Sequence, residues 1–279
     1  MNPDAPINNN IGAYPAIIRG REGRMNGQII RYLALNGPSL IYSVSQDLAS
    51  RAETKVHYPT VNRRMHELVR RQYLEKAGTR ITKAGIPADL YATRLRGDFA
   101  ALTGIPDSSG KYASELSPKE IRQTITIAAS REGSPFVLFK YILEEGQSGI
   151  ALVDKELVPE IVNSVRNGYL NIDALDEGVI CSAFASVIAR KMTNLMTMSG
   201  RHQSGKSKET HRDQVDILMR SLEKTLARNR DSVSNTRMLR KDVTDPSRLP
   251  TQKSRIAPVM NQWGNELKVF LKLHSVRLD

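Results

Sequence analysis

The sequence predicts a mainly α-helical protein, and two observations carry that expectation. Apolar residues recur at three- and four-residue spacing through most of the chain, in runs bounded by Gly and Pro. Aromatic residues make up only 5% of the 279, which suits the aliphatic cores of small helical domains better than a large β-sandwich. A chain of this length forms one large or two ordinary domains, each with a core of its own. The single cysteine, Cys181, excludes an intramolecular disulfide framework and a Cys-rich zinc site, and points to a reducing compartment. It sits in "GVICSAFASVIA" with no His or Lys close by, so it reads as a small buried thiol and not as a nucleophile.

Residues 1–23 read as a disordered leader, with three Pro and a run of Asn in "MNPDAPINNNIGAYPAIIRG" and no helical or strand period. The same stretch lacks the basic start and apolar run of a signal peptide, and the longest apolar run, "VICSAFASVIA", is too short to cross a bilayer. The expectation is a cytoplasmic protein with no membrane partner. The net charge of +12 is uneven: +7 over residues 1–112, −3 over 113–198 and +8 over 199–279. Two basic segments flanking an acidic one is a charge distribution expected of a polyanion binder.

The first basic segment divides into three helices. Ile29, Ile30 and Leu33 form one helical face that "NGPS" terminates; Ile41, Val44 and Leu48 mark a second helix; "HYPT" opens a third, with Pro59 at its first helical position. On the third helix Val61, Met65, Leu68 and Val69 fall within an arc of about 100°. Thr60, Arg63, Glu67 and Arg70 fall opposite, flanked by Arg64 and Arg71, so the outward face is polar and strongly basic. Short strands are expected around Tyr73–Lys76 and Leu90–Leu95, joined by a Gly-punctuated basic excursion, with a new helix from about Asp98.

In this order of elements "TVNRRMHELVRRQYLEKAG" running into "LYATRLRGDFAAL" resembles the recognition helix, wing and following helix of winged helix-turn-helix transcription regulators. The resemblance covers residues 24–104. It implies a third helix lying in the major groove and a wing tip resting on phosphates. It makes Tyr58, Thr60, Arg63, Arg64 and Glu67 groove-facing residues, and Arg80 and Lys83 wing contacts. One departure is "SRAETKVHY", longer than the family's usual tight turn between the second and third helices.

After a Pro/Gly/Ser-rich joint, residues 117–198 read as a small helical domain. It starts at a capping box, with Ser117 as N-cap, Pro118 at the first position and Glu120 at the third. Its carboxylates, such as Glu144 and Glu145, have no His near them and read as surface charge. None of the five His forms an H-x-x-x-H pair, so no metal is expected. "GRHQSGKS", Gly200 to Ser207, fits the phosphate-binding loop pattern, yet a helical period runs up to it where that loop needs a buried strand. Residues 199–212 therefore read as a flexible basic linker. In the basic C-terminal region, 213–279, Val215, Leu218, Met219, Leu222 and Leu226 form one stripe. A last helix over Ile256 to Val276 holds the only Trp, Trp263.

The function expected is sequence-specific binding of double-stranded DNA by a transcription regulator. The C-terminal helices would give a homodimer or bind a partner, with no reaction and no cofactor. Three rival readings remain open: a replication-initiation or architectural chromosome protein with a second DNA contact in the basic C-terminal region, a winged helix that binds protein, and a P-loop nucleotide-binding protein.

Overall fold

In a computed structural model the described residues are 15–19, 22–51, 57–106, 112–114, 116–131, 134–174, 176–200, 210–225 and 227–228. The protein is mainly helical with a small three-stranded antiparallel sheet. It divides into two compact units, Met1–Ile127 with Val162–Leu175, and Ala128–Ile161 with Asp176–Asp279. Among the described residues, no helix is long and apolar enough to cross a membrane.

In the first unit α1 (Gly23–Asn36) buries Ile29, Ile30 and Leu33, the face its sequence period marks. It ends at Gly37, whose N–H donates to Leu33 O at a φ of 71°. A two-residue strand β1 (Ser39–Leu40) follows, too short to leave any alternation in the sequence. Helix α2 (Ile41–Arg51) buries Val44 and Leu48 and leaves Ile41 half-buried. Helix α3 (Tyr58–Arg70) begins with Pro59 in its first turn, where a missing N–H and a fixed φ cost nothing. Its Val61, Met65 and Leu68 are completely buried and Val69 half-buried, so the apolar arc is the inward face.

Helix α3 closes with a bond from Tyr73 N–H to Leu68 O at 2.9 Å, the six-to-one closure of a Schellman turn. The left-handed position is Gln72, at a φ of 62°. The chain then forms a hairpin of β2 (Leu74–Ile81) and β3 (Pro87–Thr93), with strand order β1-β3-β2 and Ile81 opposite Pro87 at the far end. Both strands are longer than the sequence suggests, because most of the hairpin lies outside the core. On β2 only Leu74 is buried and residues 76–81 are all exposed, so backbone pairing and not an apolar alternation holds the arm. Helix α4 (Leu95–Thr103) starts three residues before Asp98, which lies buried in its first turn and accepts a 2.6 Å bond from Thr93 Oγ1.

The leader differs from expectation. Ala16–Ile18 form a 3-10 turn in which Ile17 and Ile18 are buried, and Asn26 Nδ2 donates to Ile17 O at 2.9 Å. Gly23 allows the approach, since a Cβ there would lie 2.2 Å from Ile18 O. Two adjacent apolar residues form no period, so the sequence does not reveal this anchor; residues 1–14 lie outside the described residues. The joint after α4 holds a small strand pair, β4 (Ile105–Pro106) with β5 (Tyr112–Ser114).

Helix α5 (Pro118–Ser130) starts at the expected capping box. Ser117 donates from N and Oγ to Glu120 Oε2 at 2.9 and 2.8 Å, and Glu120 N–H returns a bond to Ser117 Oγ at 3.3 Å. Arg31 on α1 reaches the other carboxylate oxygen at 2.8 Å, and Gln123 donates to Leu35 O at 2.6 Å, which ties α5 to α1.

The second unit holds α6 (Val137–Glu144), α7 (Gly146–Leu152), a π-helical turn (Val153–Leu157) and α9 (Glu177–Gly200). Helix α8 (Val158–Arg166) runs from the second unit into the first, which takes over at Val162. Phe136, Phe139 and Phe184, all completely buried, meet with ring centroids 5.8 to 6.1 Å apart. Cys181 is buried on α9, as its apolar surroundings in sequence imply. Residues 210–225 are helical, and Leu218 and Leu222 of their stripe are completely buried within the chain. Arg220 and Lys224 on this helix bond Glu145 at 2.9 and 3.0 Å. Of the stripe's described residues, Leu218 and Leu222 thus serve the protein's own core and Val215 and Met219 are half-buried; Leu226 lies outside the described residues.

Candidate nucleic-acid interface

With Val61, Met65 and Leu68 buried, α3 turns its polar side outward. Tyr58 and Arg63 are exposed and Thr60 is half-buried. The Arg63 side chain is 71% exposed, with Glu22 Oε1 3.7 Å from its guanidinium. Arg64 is different: its side chain is only 12% exposed and is ion-paired with the same Glu22. Glu67 accepts bonds from Arg71 Nε at 2.6 Å and from Arg70 Nε and Nη2 at 2.8 Å. The Arg71 bond, aided by Arg70, outweighs the burial that raises its pKa and holds the Glu67 carboxyl below its ordinary value. A base amino group would have to compete with two arginines for the Glu67 carboxylate.

A cleft of about 830 Å³ runs beside this helix, with Arg19, Glu22, Arg63, Arg64, Glu67 and Arg71 among its lining residues. Three residues expected to face a groove, Arg63, Arg64 and Glu67, thus share one cavity with a segment read as leader. Arg19 lies 3.8 Å from the Asp173 carboxylate. The roles of Glu22 and Arg19 were not visible in the sequence, because they depend on where the 3-10 turn docks.

Arg80 and Lys83 do not line that cleft. Arg80 is exposed on β2 and Lys83 in the turn that joins β2 to β3. Thr82 N–H donates to Ile86 O and Gly85 N–H to Thr82 O, both at 2.9 Å, and Thr82 Oγ1 accepts from Ile86 N–H at 3.2 Å. Gly85 sits at a φ of 76°, which favours glycine. Farther down the hairpin Lys76 bonds Asp89 at 2.6 Å, which raises the lysine's pKa.

Beneath both elements lies a partly buried polar network. Tyr73, at the foot of β2, donates through its hydroxyl to Asp173 Oδ1 at 2.5 Å; the same carboxylate accepts from Ala16 N–H at 3.0 Å. Burial first, and then Asp173, push the phenol well above its ordinary range, so it remains a donor. The Arg96 guanidinium lies 5.3 Å from the Tyr73 ring centroid and donates to Ala174 O and, at 2.6 Å, to Arg71 O. Segments a hundred residues apart in sequence thus hold the end of α3 and the start of the hairpin.

The phosphate-loop match from Arg201 to Ser207 lies outside the described residues. What precedes it is α9, a helix through Gly200, where such a loop requires a strand. The last helix expected, Ile256 to Val276, also lies outside the described residues. Compared with known proteins, the chain matches no family model, no curated sequence and no solved structure.

Proposed function

We propose that the chain is a sequence-specific DNA-binding protein, a transcription regulator that presents α3 to the major groove as a winged helix-turn-helix does. One observation carries this reading: α3 buries one whole face, extends an exposed Arg63 from the other, and leads directly into a hairpin with exposed Arg80 and Lys83. The element order α1-β1-α2-α3-β2-β3, with strand order β1-β3-β2, supports it. In this reading Arg63 reads a base edge, Tyr58 and Thr60 stand at the entering end of the helix, and Arg64 and Glu67 hold the basic face in shape. Arg80 and Lys83 face the phosphate backbone. Pairing between copies, or binding of a partner, falls to the C-terminal helices.

Selection of bound fragments from random DNA tests the reading, with enrichment of one sequence as the expected result. Arg63→Ala should then cost roughly 1–3 kcal/mol on that sequence and relax one base position. An equal loss on all sequences would make Arg63 a phosphate contact, and protection of a long array in place of short half-sites would favour an initiator or architectural protein.

A further inference from the structure

The cleft beside α3 holds more positive charge than its own acids neutralise. Four arginines (Arg19, Arg63, Arg64 and Arg71) line it with two glutamates (Glu22 and Glu67), which leaves two positive charges in excess. Just outside the lining, Asp173 beside Arg19 and Arg70 on Glu67 cancel each other. The two acids differ. Glu67 is held by two arginines at hydrogen-bond distance, whereas the Glu22 side chain is 52% exposed and open to a further donor. Asn26, in the first turn of α1, also lines the cleft and is 4% exposed. Its Nδ2 is committed to Ile17 O, and its buried Oδ1 accepts no hydrogen bond from the described residues. A buried acceptor without a donor is uncommon in a folded protein and calls for an explanation.

We infer that this cleft binds a small phosphate monoester that also carries hydroxyl or amino groups and, resting on the DNA-binding reading above, that this ligand releases the protein from DNA. Each part of such a ligand has a counterpart in the cleft. A monoester carries a charge of about −1.5 to −2 at neutral pH, which matches the excess. Guanidinium groups take phosphate oxygens in pairs. The hydroxyl or amino groups donate to Glu22 and, once the wall that closes it from solvent shifts slightly, to Asn26 Oδ1. Size agrees: small-molecule sites span roughly 300–1,000 Å³, and this cleft is about 830 Å³. Donors decide against the DNA backbone as the occupant. A phosphodiester carries a single charge and the deoxyribose between phosphates has no O–H, so the backbone would meet Glu22 as a repelling carboxylate and leave Asn26 unpaired. Arg63 couples the two partners, because it lines the cleft and is also the exposed residue assigned to DNA. A dianion held beside Arg63 draws it from the DNA and repels nearby phosphates. The coupling is reciprocal, so DNA weakens ligand binding by the same factor.

Calorimetry on the full chain without DNA tests the site, with ribose 5-phosphate, glucose 6-phosphate, AMP and phosphoserine as probes. Methyl phosphate, which has no donor as a dianion, and inorganic phosphate serve as comparators. At least one probe should bind about tenfold or more tightly than both comparators, as expected when hydrogen bonds to a charged group are added. Arg63→Gln with Arg71→Gln, both at exposed positions, should weaken that binding by roughly tenfold or more. Binding by none of the probes, equal binding of methyl or inorganic phosphate, or undiminished binding to the double variant would overturn the site. Added at saturation, the best probe should lower wild-type affinity for the DNA sequence enriched from random fragments on the order of tenfold. Unchanged DNA affinity would overturn the release from DNA. Failure to bind any DNA would remove the DNA-binding reading and the release with it, while the calorimetry still decides the site.

Discussion

The phenylalanine cluster of the second unit and the α3–hairpin region of the first use similar residue types to opposite ends. Around Phe136, Phe139 and Phe184 the rings are completely buried, and nearby charges pair among themselves: Glu156 with Lys191 and Glu160 with Arg190, each at 2.5 Å. Around α3 and the hairpin, Arg63, Arg80 and Lys83 extend to solvent and Ile81 and Ile86 lie bare. A region that only has to fold buries its apolar groups and pairs its charges. Surplus chemistry left outside, on a firm support, is what directs attention to the second region. The two regions are independent only if damage to the cluster and damage to the α3–hairpin surface separate in experiment.

The largest effect should come from the cluster. Phe139→Ala removes a completely buried ring that contacts two others, and should lower unfolding free energy by roughly 3–5 kcal/mol, measured by urea unfolding. DNA affinity measured on the folded protein should be unchanged. A folded Phe139→Ala protein with poor DNA binding would break the separation between the regions.

A smaller loss is expected at the junction between α3 and the hairpin. Tyr73→Phe keeps the ring under Arg96 but deletes the donor to Asp173, and a hydrogen bond to a charged group is worth about 1.5–3 kcal/mol. Because Arg96 also fixes Arg71 O, the predicted outcome is reduced stability together with weaker binding to every DNA sequence. A stability loss with unchanged affinity would show that this network supports the fold without positioning the interface.

What the sequence revealed and what it hid divide along the same physical line. The inward face of α3, the capping box at Ser117 and the helix leading into "GRHQSGKS" were legible, because each depends on residues within one or two helical turns. The 3-10 turn at Ala16–Ile18, the pairing of Glu22 with Arg64, and the Tyr73–Asp173 bond were not, because each depends on contacts that only tertiary packing creates. The hairpin lies between these cases. Its position was visible, but its length was not, since exposed paired strands carry little apolar alternation. For the candidate site, residue types and helix face could be read in advance. Which arginines were already engaged could not.

The capping box supplies a pH-dependent prediction. Burial raises the Glu120 pKa, but the bond from Arg31 and those from Ser117 outweigh it and bring the carboxyl down to about 2 from 4.5. A folded-state pKa below the unfolded one means the stabilisation is complete above the unfolded value. It is lost as pH falls from 4.5 toward 2. For a partly exposed group the loss should be about 1 kcal/mol after solvent screening. Acid unfolding curves of wild type and Glu120→Gln should converge at low pH; a constant gap across the range would show that the ion pair with Arg31 contributes nothing.

The smallest effect concerns Glu22 and bears directly on the interface. Its carboxylate is ion-paired with Arg64 and lies 3.7 Å from Arg63, so a phosphate approaching this end of α3 meets guanidinium groups that already have an anion beside them. Exposed ion pairs are worth roughly 0.2–1 kcal/mol, and removing the carboxylate also removes its repulsion of phosphate. Glu22→Gln keeps the side chain's size and should tighten DNA binding by about two- to fivefold at low salt, with the gain shrinking as ionic strength rises and screening shortens the reach of every charge. Binding curves at several salt concentrations would check this. If affinity falls instead, Glu22 acts mainly to hold Arg63 and Arg64 in the geometry that meets DNA, and the arginines of the cleft depend on the docked 3-10 turn for their shape. If affinity does not change at any salt concentration, phosphates do not approach this part of α3, and the proposed DNA contact moves toward Tyr58 and the hairpin tip.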